Sequence, residues 1–584
     1  MKTEKQTDAK KNEKAKQKKT NKKAVIDKPT LKKETKKSRK ESIKAEKEAM
    51  KESKKEKQKN LKEDTKNSKK DVKQEKKKEA KKKKTPLEKD LKTVKKIMDE
   101  AKLYRHAASI ANFDMETVCP KDGREEQGEV MAFLGNQAFK LIKKKKFIKA
   151  AESLYKNRGE LEKYDAALVS ELHRDYAKIK NITPEMQHKH SLVYNKAFVD
   201  WLEAKEKSDF SLFKNSLAAV RDAELEAISL REEAKENTYD NLLDDYERGM
   251  TSAKLDETFG QCKERLIPFL EKIKKSDKKI RTDFMSRPVP EEAQRRMTNY
   301  LLGLMQYDFN RGAVATTEHP FTDELGMNDV RITTHYHADR FASNMYTVIH
   351  EGGHALFGQN LPKAQYKHHL ANGMTMGMHE SVSRFYENRI GRSKAFVHLI
   401  YDKTKEIFPE AMKGVSEAEL YEGLNLVQPS LIRTEADEFT YTFHVIIRYE
   451  IEKEIIAGTV KIEDLPCIWN EKYQSYLGVT PATDSEGVLQ DVHWSGGFGY
   501  FPCYAIGNMY NSMYYNKMHD KYNIEELIEG GHIDIINDWM KKHVYKKAVM
   551  LDASEWIKDI TGREFTPKDF LDYLEDKYGE LYGI

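Results

Sequence analysis

Thr347-Val348-Ile349-His350-Glu351-Gly352-Gly353-His354-Ala355-Leu356-Phe357 is the stretch around which the rest of the chain can be read. On an α-helix, residues i and i+4 lie on one face, so His350 and His354 point at one ion. Neutral imidazole nitrogens suit zinc, and two of them leave coordination positions for another ligand and a water. Glu351 is the next residue along, within reach of a proton on that water. Val348, Ile349, Ala355, Leu356 and Phe357 are apolar and predict a buried helix.

H-E-x-x-H also arises by chance, so a third ligand decides its meaning. Glu380, in His379-Glu380-Ser381, follows His354 by 26 residues, and Arg384, Phe385 and Glu387 continue a helical pattern. A second helix packed antiparallel to the first brings Glu380 beside the two histidines. Two His and one Glu form the donor set of a catalytic zinc site with one open position.

Upstream of this helix, Gly312–Tyr336 changes character. Val314, Thr316, Thr317, Val330, Ile332, Thr333 and Thr334 are β-branched and, with Tyr336, read as short strands of a small antiparallel sheet. A strand beside a zinc helix can hold a substrate backbone along its exposed edge. Before it, apolar residues recur at helical spacing from Leu87 onward. The expected helices include 88–111, 123–145, 147–157, 160–179, 184–207, 210–237, 255–275 and 291–309. Downstream, 395–408, 417–426, 432–458 and 465–477 read the same way. The chain from 86 to 584 is predominantly α.

Residues 1–85 differ in kind. Residues 1–84 hold 36 Lys+Arg and 15 Asp+Glu, a net of +21, which leaves −13 on the remainder of a chain whose total is +8. With few large apolar side chains, this lysine-rich stretch is expected to stay disordered, with transient helix around 42–57. It is a solubilising tail or an electrostatic handle for nucleic acid or an acidic surface. Cys119, Cys262, Cys467 and Cys503 are far apart and form no C-x-x-C, so neither a disulfide framework nor a zinc ribbon is expected. No apolar leader or membrane-length apolar run is visible. A cytoplasmic protein is the expectation.

Three further segments carry charge that packing does not demand. In Asp329-Val330-Arg331-Ile332-Thr333, Arg331 can fork onto a carboxylate. In Ile432-Arg433-Thr434-Glu435-Ala436-Asp437, the acids suit a helix N-terminus but Arg433 does not. In Gly487-Val488-Leu489-Gln490-Asp491-Val492-His493-Trp494, His493, with the nearby Tyr500, can donate to a developing oxyanion. Ser495-Gly496-Gly497-Phe498-Gly499 lacks the spacing of a phosphate loop.

Together these segments resemble the carboxypeptidase Taq family of metallocarboxypeptidases. The family pattern D-x-R-x-T, H-E-x-x-H, H-E-S-x, I-R-x-x-A-D and G-x-x-Q-D-x-H-W is met in order at 329–333, 350–354, 379–382, 432–437 and 487–494. The likeness runs from about residue 86 to the end. Val382 and Tyr386 stand where Gln and Trp are usual, and Asn112-Phe113 where Trp precedes Asp. The resemblance implies a large multi-helix fold with a deep active-site groove, a small sheet near the metal, and a homodimer. It also implies removal of carboxy-terminal residues with broad preference and poor handling of proline.

The expected site therefore has His350, His354 and Glu380 on one Zn²⁺ per subunit, replaceable by Co²⁺ or Mn²⁺. Glu351 is the general base, and His493 or Tyr500 meets the oxyanion. Arg433, ahead of Arg331, grips the free carboxylate of a peptide substrate. Two rival readings are an endo-acting zinc oligopeptidase and a basic-tailed binding protein with a vestigial metal site.

Overall fold

The structure is a computed structural model that describes residues 84–371 and 374–584. The lysine-rich segment, its transient helix around 42–57 included, lies outside the described residues apart from its last two positions. Within the described part, helices dominate and the buried apolar residues form one extended core, with a smaller satellite. The satellite joins Val94, Ile97, Leu141, Phe147 and Leu154 from the first helices, Pro86–Thr117, Arg124–Ile142 and Lys145–Lys156.

Most helices expected from periodicity are present, several with different ends. Pro184–Lys207 starts at Thr183, whose side chain accepts from Met186 N, with proline in the first turn where its missing N–H costs nothing. The expected helix 210–237 breaks after Lys214–Ser229, and a further helix, Thr238–Tyr246, follows behind an Asn237 cap. The expected helix 432–458 begins only at Tyr441 and runs to Ala457. Arg433 sits ahead of it in a 3₁₀ turn, and Asp437 caps the following turn by accepting from Phe439 N and Thr440 N.

The sheet has three strands, β1 (Val314–Thr316), β2 (Thr322–Gly326) and β3 (Asp329–Thr334), in the order β1-β3-β2. It is mixed, not antiparallel as expected. β2 pairs antiparallel with β3 across a two-residue turn, but β1 runs parallel to β3. Side-chain alternation cannot tell parallel from antiparallel pairing in strands this short. The register places Thr322 opposite Ile332 and Asp323 opposite Arg331. Thr322, Glu324, Val330 and Ile332 therefore share one face, toward the helix Phe341–Asn360 that carries His350, and Arg331 lies on the other.

That helix is buried over most of its surface. Its antiparallel partner is Met376–Arg384, extended by a π-helical turn at Phe385–Ile390. Contacts pair Ile349 with Gly391, His350 with Glu387, Gly353 with Ser383 and His354 with Glu380. A Cβ on Gly353 would come within 2.7 Å of Ser383 Cα, so a residue with a side chain would push the helices apart. Val382 and Tyr386, the departures from the family pattern, are fully packed away, with Tyr386 Oη donating to Asn537 at 2.7 Å. All four cysteines are unpaired. Among the described residues, no helix is long and apolar enough to cross a membrane.

Candidate metal centre

The close approach at Gly353 sets three donors against one another. Glu380 Oε2 lies 3.8 Å from His350 Nε2 and 3.6 Å from His354 Nε2. These distances are too long for hydrogen bonds. A tetrahedral zinc ion with bonds of about 2.0–2.1 Å spaces its donors about 3.4 Å apart, so the set fits such an ion with little adjustment. Among the described residues, this is the group of His, Cys, Asp and Glu whose ligand atoms converge closely enough to hold a metal.

Each donor has a partner behind it. His350 Nδ1 donates to Glu387 Oε2 at 2.8 Å, leaving the Nε2 lone pair to face the gap. His354 Nδ1 lies 2.6 Å from His379 Nδ1, and His379 Nε2 lies 3.2 Å from Glu324 Oε1. A donor sequence from His354 to His379 to Glu324 leaves His354 Nε2 free as well. Arg384 Nε donates to Glu380 Oε1 at 2.8 Å and its Nη1 reaches Glu387 at 3.0 Å.

Burial and charge set the protonation states. Burial drives the His354 imidazole down to about 3, so it is neutral, as a ligand must be. Burial also pushes His350 down, but the Glu380 and Glu387 carboxylates outweigh it and hold its pKa above the ordinary value. For Glu387 burial acts upward, and Arg384 and His350 overcome it, pulling the carboxyl down to about 2.

Glu351 is buried, and burial lifts its pKa above the usual carboxylate range. Thr322 Oγ1 donates to its Oε2 at 2.6 Å and lies 3.0 Å from its backbone carbonyl. The sheet thus holds the candidate base in one rotamer.

The other predicted residues divide. Arg433 is buried, with Nε and Nη2 on Asp491 at 3.0 and 2.9 Å and Nη1 on Tyr441 Oη at 3.1 Å. Arg448 takes the second oxygen of Asp491 at 2.6 Å. Burial pushes the Asp491 carboxyl up, but the two guanidiniums hold it well below the carboxylate range. Tyr441 also lies under Arg384, 4.4 Å from ring centroid to guanidinium, which ties this arginine cluster to the metal ligands. His493 sits beside it, its Nε2 3.4 Å from Tyr504 Oη, and burial pushes it down to about 4. Its Nδ1 is buried with no hydrogen-bond partner among the described residues. Tyr500 packs on His493 and Tyr504, and burial, with the Glu380 charge, raises its pKa so that the hydroxyl stays protonated.

Arg331 is apart from this group. It forks onto Asp329 of its own strand, both bonds 2.8 Å, and stacks over Phe113 on the sheet face away from Thr322. Sequence reading did not assign a role to Thr322, Glu324, His379, Glu387 or Arg448. Glu387 had a usable signal, since it falls one turn beyond Glu380 and Arg384 on the same helix face.

The sequence model described as carboxypeptidase Taq (M32) metallopeptidase matches residues 93–578. The chain is 39% identical over 482 residues to carboxypeptidase 1 of Bacillus subtilis (strain 168), covering 82% of this chain and 96% of that protein. The crystal structure of the M32 carboxypeptidase from Deinococcus radiodurans R1 superposes with a TM-score of 0.82 at 30% identity, over 85% of this chain and 100% of that one. Trypanosoma cruzi metallocarboxypeptidase 1 matches with a TM-score of 0.80 at 31% identity, over 84% and 99%. The chain belongs to the carboxypeptidase Taq (M32) family of metallopeptidases, and it is a metallocarboxypeptidase.

Proposed function

We propose that His350, His354 and Glu380 hold one Zn²⁺ per subunit, with Co²⁺ or Mn²⁺ able to replace it, and that the site removes carboxy-terminal residues from peptides with broad preference. The observation that carries this reading is the convergence of three donors at 3.6 and 3.8 Å, each oriented from behind. When bound, the ion supplies Lewis acidity at the scissile carbonyl and acidifies a water.

Glu351 accepts the proton of the attacking water and passes it to the leaving amine. Its raised pKa suits a carboxylate that must hold that proton between the two transfers. Thr322 keeps the receiving oxygen in place. Tyr500, protonated, and His493, neutral, donate to the oxygen on which negative charge develops. The substrate carboxylate is drawn to Arg433. Two arginines share Asp491, so that cluster keeps one positive charge in a buried setting, where it acts strongly on an anion. Arg331, forked onto Asp329 of its own strand and apart from this cluster, is the second candidate for the carboxylate.

The working unit is a homodimer in the cytoplasm, with 86–584 as the catalytic domain and 1–85 as a basic tail that solubilises the chain or contacts nucleic acid or an acidic surface. The test is digestion of a peptide library, free and amidated at the carboxyl end, with and without chelator. Ladders shortened one residue at a time from free carboxyl ends, abolished by chelator, are expected. Internal cleavage of amidated peptides at equal rate would establish the endo-acting oligopeptidase instead.

A further inference from the structure

β2 and the metal-ligand helix run side by side in the same direction. Thr322 meets Glu351, and two residues on, Glu324 meets His379. Glu324 also lies against Gly358, where a Cβ would come within 2.7 Å of its carboxyl carbon. The other end of that helix points toward the arginine cluster, because Arg340 at its cap is 3.6 Å from Glu435, two residues from Arg433. The metal ligands therefore lie between the arginine cluster and whatever lies beyond Glu324.

What lies there is a cavity of about 370 Å³, within the range of small-ligand sites. It is walled by Glu324 and Leu325 of β2, by the helices Pro86–Thr117 and Lys163–Ile179, and by residues 366–371. Ala101, Leu168, Leu325 and Leu370 are buried and apolar and make its floor. Arg105, Lys143 and Asp175 also line it, and three of its charged groups are engaged. Glu171 is held by Arg174 and Arg248, Glu324 by His379, and Lys102 sits 3.6 Å over the Tyr366 ring.

β2 also offers a path to it. Thr333 N donates to Phe321 O, so Phe321 and Asp323 turn their backbone groups toward β3, and Thr322 and Glu324 turn theirs to the free edge. The pairing is irregular between Glu324 and Gly326, and there Leu325 O, which strict alternation would turn toward β3, accepts instead from His106 Nδ1 at 2.9 Å. The unpaired edge therefore ends at the cavity mouth.

We propose that this cavity is the subsite for an apolar side chain of the peptide substrate, two or three residues upstream of the scissile bond, on a backbone added antiparallel to β2. The inference rests on the carboxypeptidase reading with Arg433 as the carboxylate anchor. With the carboxyl end at Arg433, the amino-terminal body must run toward Leu325, opposite to the direction of β2. At about 3.4 Å per residue, two or three residues span from Thr322 to the cavity. A carboxypeptidase has one residue on the leaving side and a long chain on the other, and the room lies on that other side.

The test uses the full-length protein loaded with Zn²⁺ and N-acetylated peptides that share one carboxy-terminal dipeptide. Tetrapeptides with Phe or Leu upstream should exceed their Gly counterparts about tenfold in kcat/KM, mainly through KM. Ser109→Trp, which fills the cavity from its wall, should bring that ratio close to one. Leu172→Ala, which enlarges it, should move the preference toward Trp; it is the reporter if Ser109→Trp fails to fold. A wild-type ratio near one, or a ratio that neither folded variant changes, overturns the subsite. Wild-type protein that cleaves none of these peptides overturns the carboxypeptidase reading itself, and the subsite with it.

Discussion

Two buried ionic clusters meet across Tyr441, and they are out of balance in opposite senses. Around the metal ligands, Glu351, Glu380 and Glu387 face Arg384 and Arg392, so carboxylates outnumber guanidiniums while the histidine donors, once metal-bound, are neutral. Around Asp491, Arg433 and Arg448 share one carboxylate. The first lacks a cation and the second lacks an anion. Buried charge is costly unless compensated; in the proposed mechanism a divalent ion compensates the first cluster and a substrate carboxylate the second.

The comparison breaks most decisively at Glu351. Glu351→Gln should retain the metal, measured by atomic emission, while kcat falls about 10²–10⁴-fold. Unchanged turnover would remove Glu351 as the base.

The second cluster is sharpened by an unequal pair. Asp491→Asn leaves two buried arginines without their counter-ion and should cost about 3–5 kcal/mol, read by chemical denaturation. Arg433→Ala leaves the Arg448–Asp491 pair balanced, so it should cost clearly less in stability. Its loss should appear instead as a higher KM for peptides with a free carboxyl end, with amidated peptides little affected. Equal destabilisation by the two variants, with no change in KM, would make Arg433 a packing residue.

The smallest effect concerns orientation. Glu387→Gln should weaken metal binding about 10–100-fold in a chelator competition, because His350 loses its carboxylate acceptor. The pH dependence supplies a sign. Glu380 and Glu387 raise the His350 pKa, so protons compete with the ion as pH falls through that raised value, and affinity is lost on the acid side. Removing Glu387 should move this acid limb to lower pH. A limb that stays in place would show that Glu387 does not act on His350.

Local periodicity made much of the site legible. The i, i+4 spacing of His350 and His354 and the helical run through Glu380 required no knowledge of distant residues, and both lie as expected on adjacent antiparallel helices. The parts that were not legible depend on distant pairings. That Arg433 is already paired was not legible, because Asp491 is 58 positions away and shares its other oxygen with Arg448. Thr322 carries nothing in its own neighbourhood to mark it as the partner of Glu351; the sheet register brings it there. The sheet itself was misread because a parallel β1 and an antiparallel β1 share one side-chain pattern.

Gly353 has one more consequence. The close approach to Ser383 that it permits sets how near the helix of the histidine pair comes to the helix of the glutamate. In small zinc modules the metal is what folds the chain. Here the ligand helices are packed within a large apolar core, so a side chain at position 353 would misplace the donors even in a chain that still folds.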